Sequence, residues 1–419
     1  MSPHVLPVLH LRPDHGWIND PNGIVFHDGR WHVFYQHNPA APSHAAIAWG
    51  HASSSDLMTW QDHGVAFGPT PGGPDAFGCW SGVAVTGLER PAVVYSGVVD
   101  ASAQSTVVLR WGSSDLEAWG DPIVVGRMPE DAGLAIMRDP FVFTWGGRRW
   151  ALVGAGAEDG TPRVLVYSCD DILAWRYCGT FLDDGLPVVR DGAPANIWEC
   201  PQLVLGAGEG ADLVIVSLWA DGVLGDVVGI TGHVVDGGGH PVFEAAACHP
   251  FDTGDCFYAP QAVVDPAGGP ALVLGWAREG NLPAETHDVA GSLTFPRRVR
   301  IRDGRVEVAL DDAVAARVAP EAATLAEGRH ALATPVAVTV GRGTGRLTGR
   351  APTGAETVVA LTASDTAYLD AGVLEVVGDA DVPATHRAEP GGTWVLELDP
   401  DAVAAVAALI VDGRSYLAR

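Results

Sequence analysis

A short sequence pattern recurs five times in the first 300 residues, at intervals close to sixty. Each copy starts at a proline or glycine and continues as an apolar strand, a glycine-containing turn and a second apolar strand. The intervals are 61, 58, 61 and 59 residues, measured between Pro21, Gly82, Pro140, Pro201 and Pro260. A chain with this period folds as a repeat, because one such unit cannot bury its apolar face alone.

Two further patterns indicate strands in these units. Tight hairpins need residues with positive φ, and suitable pairs stand at 28–29, 146–147 and 268–269. An Asp followed by Leu or Ile and then by Trp recurs at Asp56, Asp115 and Asp171, with intervals of 59 and 56. Five units of several short strands are typical of radially repeated four-stranded sheets. We therefore predict an all-β fold whose first domain, residues 1–300, is a five-bladed β-propeller.

The composition changes after residue 300. Of the 32 aromatic residues (Phe, Trp, Tyr), 29 precede that point, and Tyr368, Trp394 and Tyr416 follow it. Apolar and alternating segments continue between Gly and Pro turns, which indicates further strands. We predict a small β-sandwich over residues 301–419. The segment Asp401–Ile410 is also compatible with a short helix.

The charge balance excludes some partners. The chain has 51 acidic and 25 basic residues, a formal net charge of −26, which repels nucleic acid and anionic membranes. A neutral small-molecule or oligosaccharide substrate fits better. The sequence makes no prediction of oligomeric state.

The cellular location is predicted from targeting and membrane signals that the sequence lacks. The N-terminus has no basic or apolar leader, and no apolar run reaches the length of a membrane span. The six cysteines follow no metal-site spacing, so we expect reduced thiols. These observations predict a cytoplasmic protein.

Three acidic residues stand at the start of repeat units. Asp20 and Asp139 come directly before the markers of units one and three, and Glu199 comes two residues before that of unit four. Equivalent positions in a propeller lie at equivalent radii, so we expect the three carboxyl groups at the mouth of one central funnel. Units two and five have Ser81 and Ala259 instead, so the repeat itself does not require acids there.

Taken singly, each acid has a structural explanation. An Asp before Pro often caps a turn, and Glu199 fits a salt-bridged position. Together they fit glycoside hydrolysis, which needs one protonated carboxyl group for the leaving oxygen and one ionised carboxylate as nucleophile or base. Clustered like charges separate the pKa values of such groups. Arg138 adjoins Asp139 in sequence and is expected to keep it ionised.

The chain resembles glycoside hydrolase family 32, the family of invertases, inulinases and levanases. The matching segments, in family order, are WINDPNG at 17–23, FYQHNP at 34–39, WGHA at 49–52, CWSG at 79–82, RDP at 138–140, WECP at 198–201, FYAPQ at 257–261 and GW at 275–276. The resemblance implies a retaining double displacement on β-fructofuranosides. In it, Asp20 is the nucleophile, Glu199 the acid/base and Asp139 the stabiliser of the transition state. No metal or cofactor is implied.

The resemblance also implies substrate contacts. Residues expected to hydrogen-bond the fructosyl hydroxyl groups are Asn19, Gln36, Ser81 and Arg138. Residues expected to form apolar walls are Trp49, Trp80 and Trp276. Packing within the propeller is the alternative for each tryptophan. Three nearby histidines without ligand spacing are expected to be structural: His37, His44 and His51.

Four positions depart from the common family pattern. His44 stands where many members carry Trp, Val83 replaces a Ser, Cys256 replaces an Asp and Arg298 replaces a Glu. None of these changes removes one of the three acids. Because His44 and Val83 lie in segments expected near the sugar, the substrate preference stays open.

Several functions share these three acids. Hydrolysis of sucrose or short fructans comes first, because sucrose 6-phosphate would need a basic patch at the funnel rim and no such cluster is evident. Fructosyl transfer is not excluded. Inverting arabinan or xylan hydrolases also use three acids on a five-bladed propeller, but the segment 17–23 argues against them. A non-catalytic carbohydrate-binding propeller is disfavoured because all three acids are present.

Overall fold

The computed structural model describes residues 6–279, 288–378, 382–388, 391–411 and 416–417. Its N-terminal part consists of five sheets of mainly antiparallel strands. After the short β1 (Arg12–Pro13), blade one consists of β2 (Gly16–His27), β3 (Arg30–Asn38), β4 (Ala48–Ser54) and β5 (Gln61–Phe67). Blade two consists of β6 (Gly78–Val85), β7 (Ala92–Val98), β8 (Ser105–Trp111) and β9 (Ile123–Gly126). Blade three consists of β10 (Leu134–Trp145), β11 (Arg148–Ala157), β12 (Pro162–Ser168) and β13 (Arg176–Asp183).

The remaining two blades follow a short helix, α1 (Pro187–Gly192). Blade four consists of β14 (Ile197–Gly208), β15 (Ala211–Ala220), β16 (Val223–Asp236) and β17 (Pro241–Pro250). Blade five consists of β18 (Phe257–Val263), β19 (Ala271–Ala277), β21 (Ser292–Leu293), β22 (Arg297–Arg302) and β23 (Arg305–Leu310), while β20 (Val289–Ala290) joins blade one. The fifth blade thus extends past the expected boundary at residue 300.

The five blades close into a ring. The first strands of successive blades, β2, β6, β10, β14 and β18, contact one another in order, and β18 contacts β2. A separate apolar cluster lies between each pair of neighbouring blades. These layers bury the face that one blade cannot cover by itself. The prediction of a five-bladed propeller is confirmed.

The hairpin turns form where glycine pairs predicted them. Asp28 and Gly29 join β2 to β3 with φ of 46° and 78°, and Gly146 and Gly147 join β10 to β11 with φ of 60° and 74°. Two consecutive residues with positive φ match the right-handed twist of the strands that they connect.

The C-terminal part is a β-sandwich, as predicted. Its elements are α2 (Asp312–Ala315), β24 (Val318–Leu332), β25 (Val336–Arg342), β26 (Thr344–Arg350), β27 (Glu356–Thr362), β28 (Thr366–Asp370), β29 (Val373–Val377), β30 (Ala384–Arg387), β31 (Thr393–Leu409) and β32 (Tyr416–Leu417). The long β31 pairs with β26 through its first half and with β25 through its second half. It therefore takes part in both layers, which enclose one apolar core.

The helix considered for Asp401–Ile410 is not formed. Residues 401–409 continue β31 and pair with β24 on one side and β25 on the other. Their alternating burial places Ala402 and Ala404 in the sandwich core. Hydrogen bonds to two neighbouring strands outweigh the helix propensity of the Ala-rich segment.

Helices are scarce in the described part of the chain. They span six and four residues, and none there has the length and apolar character needed to cross a membrane.

Candidate active site

The first strand of every blade is interrupted at the repeat marker. Register shifts lie between Ile18 and Pro21, Cys79 and Gly82, Arg138 and Phe141, Glu199 and Gln202, and Tyr258 and Gln261. Asp139 and Cys200 take positive φ there, 63° and 48°. A bulge redirects the side chains next to it. The five interruptions therefore bring side chains from all five blades to one end of the axis.

A pocket of about 570 Å³ opens at this end. Its lining residues are Trp17, Asn19, Asp20, Gln36, His44, Trp80, Ser81, Ala103, Ile136, Arg138, Asp139, Glu199, Trp219, Leu224, Tyr258 and Trp276. All three predicted acids, and six of the seven predicted binding residues, thus lie around the same cavity.

Asp20 is buried and surrounded by hydrogen-bond donors. Its Oδ1 accepts from Asn19 Nδ2 at 2.9 Å, and its Oδ2 accepts from Gln36 Nε2 at 3.0 Å and from the Ser81 hydroxyl. Burial raises the pKa of Asp20 to about 6, although the hydrogen bonds from Ser81 and Asn19 act in the opposite direction. The carboxylate is therefore fixed in place and ionised only above mildly acidic pH.

Asp139 is held from a neighbouring blade. Its Oδ2 accepts a hydrogen bond from the backbone N–H of Cys200 at 3.0 Å, and its own N–H donates to Ser96 Oγ at 2.7 Å. Burial, followed by the negative charge of Glu199, raises the pKa of Asp139. The Cys200 thiol lies 3.6 Å from Oδ2 of both Asp20 and Asp139, so it connects the two carboxyl groups.

Glu199 is the most exposed of the three acids and has its own partners. Arg138 Nε donates to Oε1 at 2.7 Å, and Tyr258 OH lies 2.6 Å from Oε2. The same hydroxyl lies 3.1 Å from the carbonyl oxygen of Leu218. The single phenolic proton donates to Glu199 when that residue is ionised, and to Leu218 when Glu199 is protonated and donates to the phenol oxygen. The surroundings thus accommodate both protonation states of Glu199.

The predicted polar binding residues are already oriented by the protein. Trp17 Nε1 donates to Asn19 Oδ1 at 2.7 Å, which turns the Asn19 amide N–H toward Asp20. Arg138 lies beside the ring of Trp80, 6.0 Å from its centroid. Within the described residues, the buried Nε1 of Trp276 has no hydrogen-bond partner.

Trp49 lies outside the pocket. Its ring is fully buried against Phe34, Phe67 and Tyr95, and its Nε1 donates to the backbone of Trp80 at 3.1 Å. It packs between blades one and two. The structure therefore supports the packing alternative for Trp49 and not an apolar wall.

Of the four departures from the family pattern, only His44 lines the pocket. The side chain of Val83 packs in the core between blades two and three, whereas Trp80 and Ser81 of the same segment line the pocket. Cys256 is buried beside Asp255, and Arg298 pairs with Asp265 and Asp311 on blade five. Substitution at these three positions does not alter the pocket wall.

The other two histidines have packing partners. His37 Nδ1 contacts the carbonyl oxygen of Trp17 at 2.7 Å. His51 stacks between Phe34 and His63, each at 4.3 Å between centroids. The ligand atoms of His51, His63 and Glu117 lie within 4.8 Å of one another. The rings of His51 and His63 are stacked, however, so the lone pairs of their nitrogens lie in nearly parallel planes. The two rings cannot share one ion without moving.

Sequence reasoning missed two polar residues of the site. Cys200 comes directly before the marker of its blade, as Asp20 and Asp139 do. Tyr258 comes two residues before the marker of blade five, as Glu199 does in blade four. Their places in the repeat would have identified both. The apolar lining residues share no comparable position in the repeat: Ile136 lies on the first strand of blade three, Trp219 and Leu224 on the second and third strands of blade four, and Ala103 in a loop of blade two.

The fold and this pocket define a five-bladed propeller with an acidic site on its axis. A sequence model described as "Glycosyl hydrolases family 32 N-terminal domain" matches residues 10–310. The chain belongs to glycosyl hydrolase family 32.

Curated relatives include a raffinose invertase of Escherichia coli, 30% identical over 72% of this chain, and a sucrose-6-phosphate hydrolase of Bacillus subtilis, 30% identical over 70%. The matched part spans 63% and 62% of those two proteins.

Solved structures of the family share the fold. A β-fructofuranosidase of Bombyx mori superimposes with a TM-score of 0.81 at 23% identity, covering 99% of this chain and 95% of its own. Fructan 1-exohydrolase IIa of Cichorium intybus, in complex with 1-kestose, gives 0.74 at 17% identity, covering 98% of both.

Proposed function

We propose that this protein is a retaining glycoside hydrolase that releases fructose from β-fructofuranosides such as sucrose and short inulin- or levan-type oligosaccharides. The observation that carries the proposal is the pocket itself, where Asp20, Asp139 and Glu199 meet with three different sets of hydrogen-bond partners. Different surroundings allow three carboxyl groups to take three roles. Membership of family 32 supports the same assignment.

In the first half of the reaction, Asp20 attacks the anomeric carbon of the fructosyl group. Its donors hold the carboxylate in one orientation, which favours an attack geometry prepared in advance. Glu199 donates its proton to the departing glycosidic oxygen. Asp139 accepts hydrogen bonds from sugar hydroxyl groups and stabilises the positive charge that develops in the transition state.

In the second half, water releases fructose from the ester on Asp20. Glu199, now ionised, removes a proton from this water, so the acid of the first step becomes the base of the second. Arg138 and Tyr258 contact the two oxygens of Glu199 and hold its carboxyl group in place for both steps. The proton that Glu199 gave to the leaving group is thereby regained from water.

The scarcity of cationic side chains around the pocket favours a substrate without phosphate. Arg138 is the sole Lys or Arg among the described lining residues, and its Nε already binds Glu199 at 2.7 Å. Phosphate recognition relies on free Arg or Lys donors. The lining near Arg138 is instead apolar, with Ile136, Trp219 and Leu224. Sucrose therefore suits this pocket better than sucrose 6-phosphate.

A hydrolysis panel tests the proposal. Sucrose, sucrose 6-phosphate, inulin, levan and an aryl arabinofuranoside are incubated with the protein, and the products are identified by chromatography. We expect fructose from sucrose and from short fructans, with a higher kcat/KM for sucrose than for its phosphate. Asp20→Asn serves as the matched inactive control. Release of arabinose without any release of fructose would rule the proposal out.

We further propose that the protein works in the cytoplasm. All six cysteines are free thiols, which suits a reducing compartment. Fractionation of the native cells, followed by an assay of fructose release, tests this. Activity in the culture medium and not in the cell extract would contradict it.

A further inference from the structure

His44 lies at the rim of the pocket, in the segment between β3 and β4. Its ring stands between Trp17 and Trp80, with centroids at 6.3 and 5.5 Å. Its Nε2 lies 3.2 Å from Oε1 of Gln36.

Three contacts act on the orientation of the Gln36 amide, and His44 makes one of them. Gln36 Nε2 donates to Asp20 Oδ2 at 3.0 Å and to Ser81 Oγ at 2.6 Å. With this orientation, Oε1 faces away from Asp20 and needs a donor. His44 Nε2–H supplies it. The flipped amide would place Oε1 against the Asp20 carboxylate and its NH₂ group against a donor, so both contacts would be lost.

The charge state of the ring is compatible with this role. Removal from water lowers the pKa of His44 below its ordinary value, so the ring is neutral near pH 7 and carries one N–H. The Nε2–H tautomer directs that donor at Gln36. Among the described residues, no carboxylate hydrogen-bonds to the His44 ring.

We propose that His44 is a positioning residue that fixes the orientation of the Gln36 amide and thereby keeps its N–H group on Asp20. The kinetic consequence rests on the proposed function, in which Asp20 is the nucleophile. The effect is measured as the pKa of Asp20. The titratable groups that act on Asp20 are Asp139, Glu199, Cys200 and Tyr258. None of these is altered by substitution of His44.

The test compares two variants of His44. His44→Phe keeps a flat ring and removes the donor, whereas His44→Gln restores an N–H group at the same distance from the backbone. A hydrogen bond to the ionised form lowers a carboxyl pKa. We expect the pKa of Asp20 to rise by about one in His44→Phe, which is about a tenfold change in the ionisation constant, and to return toward about 6 in His44→Gln.

Two readouts separate this inference from the proposed function. A ¹³C NMR titration of the Asp side chains, with Asp20→Asn for assignment, measures the pKa of Asp20 without substrate. The pH profile of kcat/KM for sucrose measures the same group in the free enzyme through its effect on the rate. If the wild type hydrolyses no fructoside, the proposed function fails, but the NMR titration still decides the role of His44.

A matched control is available on the sandwich. His330 Nε2 contacts the carbonyl oxygen of Ala326 at 2.8 Å, and His330→Phe removes a comparable contact far from the pocket. It should leave both readouts unchanged. An unchanged Asp20 pKa in His44→Phe, or a raised pKa that His44→Gln does not restore, would overturn the inference.

Discussion

Burial and hydrogen bonding act on the Asp20 carboxyl group in opposite directions. Burial raises its pKa, the donors Ser81 and Asn19 lower it, and the result is about 6. A nucleophile must be ionised, so the reactive fraction decreases as the pH falls through this value. The same donors that orient Asp20 also determine the pH range in which it can act.

We therefore predict that kcat/KM for sucrose falls about tenfold per pH unit below pH 6, because this parameter reports the free enzyme. Ser81→Ala removes a donor to the ionised form and should move this acidic limb to higher pH. The control is Ser113→Ala, which removes an exposed hydroxyl group bonded to Asp115. A limb at the same pH in Ser81→Ala would show that Asp20 does not control it.

The repeat predicted which residues approach the axis, but not which face of a strand carries them. The three acids, Ser81 and Arg138 lie one or two residues before the repeat markers. Their position in the repeat is enough to place them near the axis. Trp49 lies on β4, and Val83 follows the bulge of β6. Packing against neighbouring aromatic rings and methyl groups determines which face of each strand is buried. Such packing preferences cannot be obtained from the spacing of a repeat.

At the scale of elements, the bulged first strand of each blade positions the site. Gly82 follows Ser81 on β6, and its backbone accepts from Gln261 and donates to Asn22 at 2.9 and 3.1 Å. A Cβ at Gly82 would overlap the carbonyl oxygen of Val94 and lie 2.5 Å from Tyr95 Cα. No side chain fits there without movement of the neighbouring strand.

Gly82→Ala should therefore reduce the free energy of unfolding by about 1–3 kcal/mol, as overpacking does, and should also lower kcat because Ser81 moves. Urea denaturation and sucrose hydrolysis measure the two effects. Gly341→Ala is the control, since its Cβ would meet only Val403 O at 3.8 Å. Equal stability and activity of both variants would refute the role given to the bulge.

At the scale of the whole molecule, a buried ionic network joins the propeller to the sandwich. Arg297 on β22 binds Asp252 at 2.8 Å and Glu375 on β29 at 2.6 Å, and His10 contacts Asp370 and Glu375 at 2.9 and 3.2 Å. These residues are separated by up to several hundred positions in sequence. No local pattern could predict their meeting, although the strands on both sides were predicted.

Arg297→Met should destabilise the protein by about 3–5 kcal/mol, because it leaves buried carboxylates without their partner. Thermal unfolding measures the change. Arg300→Met, on the same strand, removes an exposed pair with Glu307 and should leave the unfolding midpoint nearly unchanged. Similar midpoints for the two variants would contradict the importance of the network.

The same network predicts how stability depends on pH. Burial disfavours the charged form of His10, but Asp370 and Glu375 outweigh it and raise its pKa above 6.5. Its contribution is therefore complete below 6.5 and is lost as the pH rises through the raised value. Burial also opposes ionisation of Asp370 and Glu375. The hydrogen bond and the charge of His10 nevertheless lower the pKa of Asp370 below 3.8, and the charge of Arg297, followed by His10, lowers the pKa of Glu375 below 4.5.

The contribution of those two carboxylates is complete above their ordinary pKa values and is lost as the pH falls through the lowered ones. We predict the highest Tm between about pH 4.5 and 6.5, with a decrease on the alkaline side that is smaller in His10→Asn, which cannot titrate there. A decrease of the same size in the variant would show that another group causes it.

The ester between fructose and Asp20 is the most direct test of the proposed mechanism. In Glu199→Ala, an aryl β-fructofuranoside with a leaving group that departs without a proton should form this ester quickly, while its hydrolysis is slow for lack of a base. Quenching, proteolysis and mass spectrometry should find the fructosyl group on the peptide that contains Asp20. The double variant with Asp20→Asn should not carry it. Fructosyl transfer to Asp139, or release of the aryl group without any labelled peptide, would contradict the assignment of Asp20 as nucleophile.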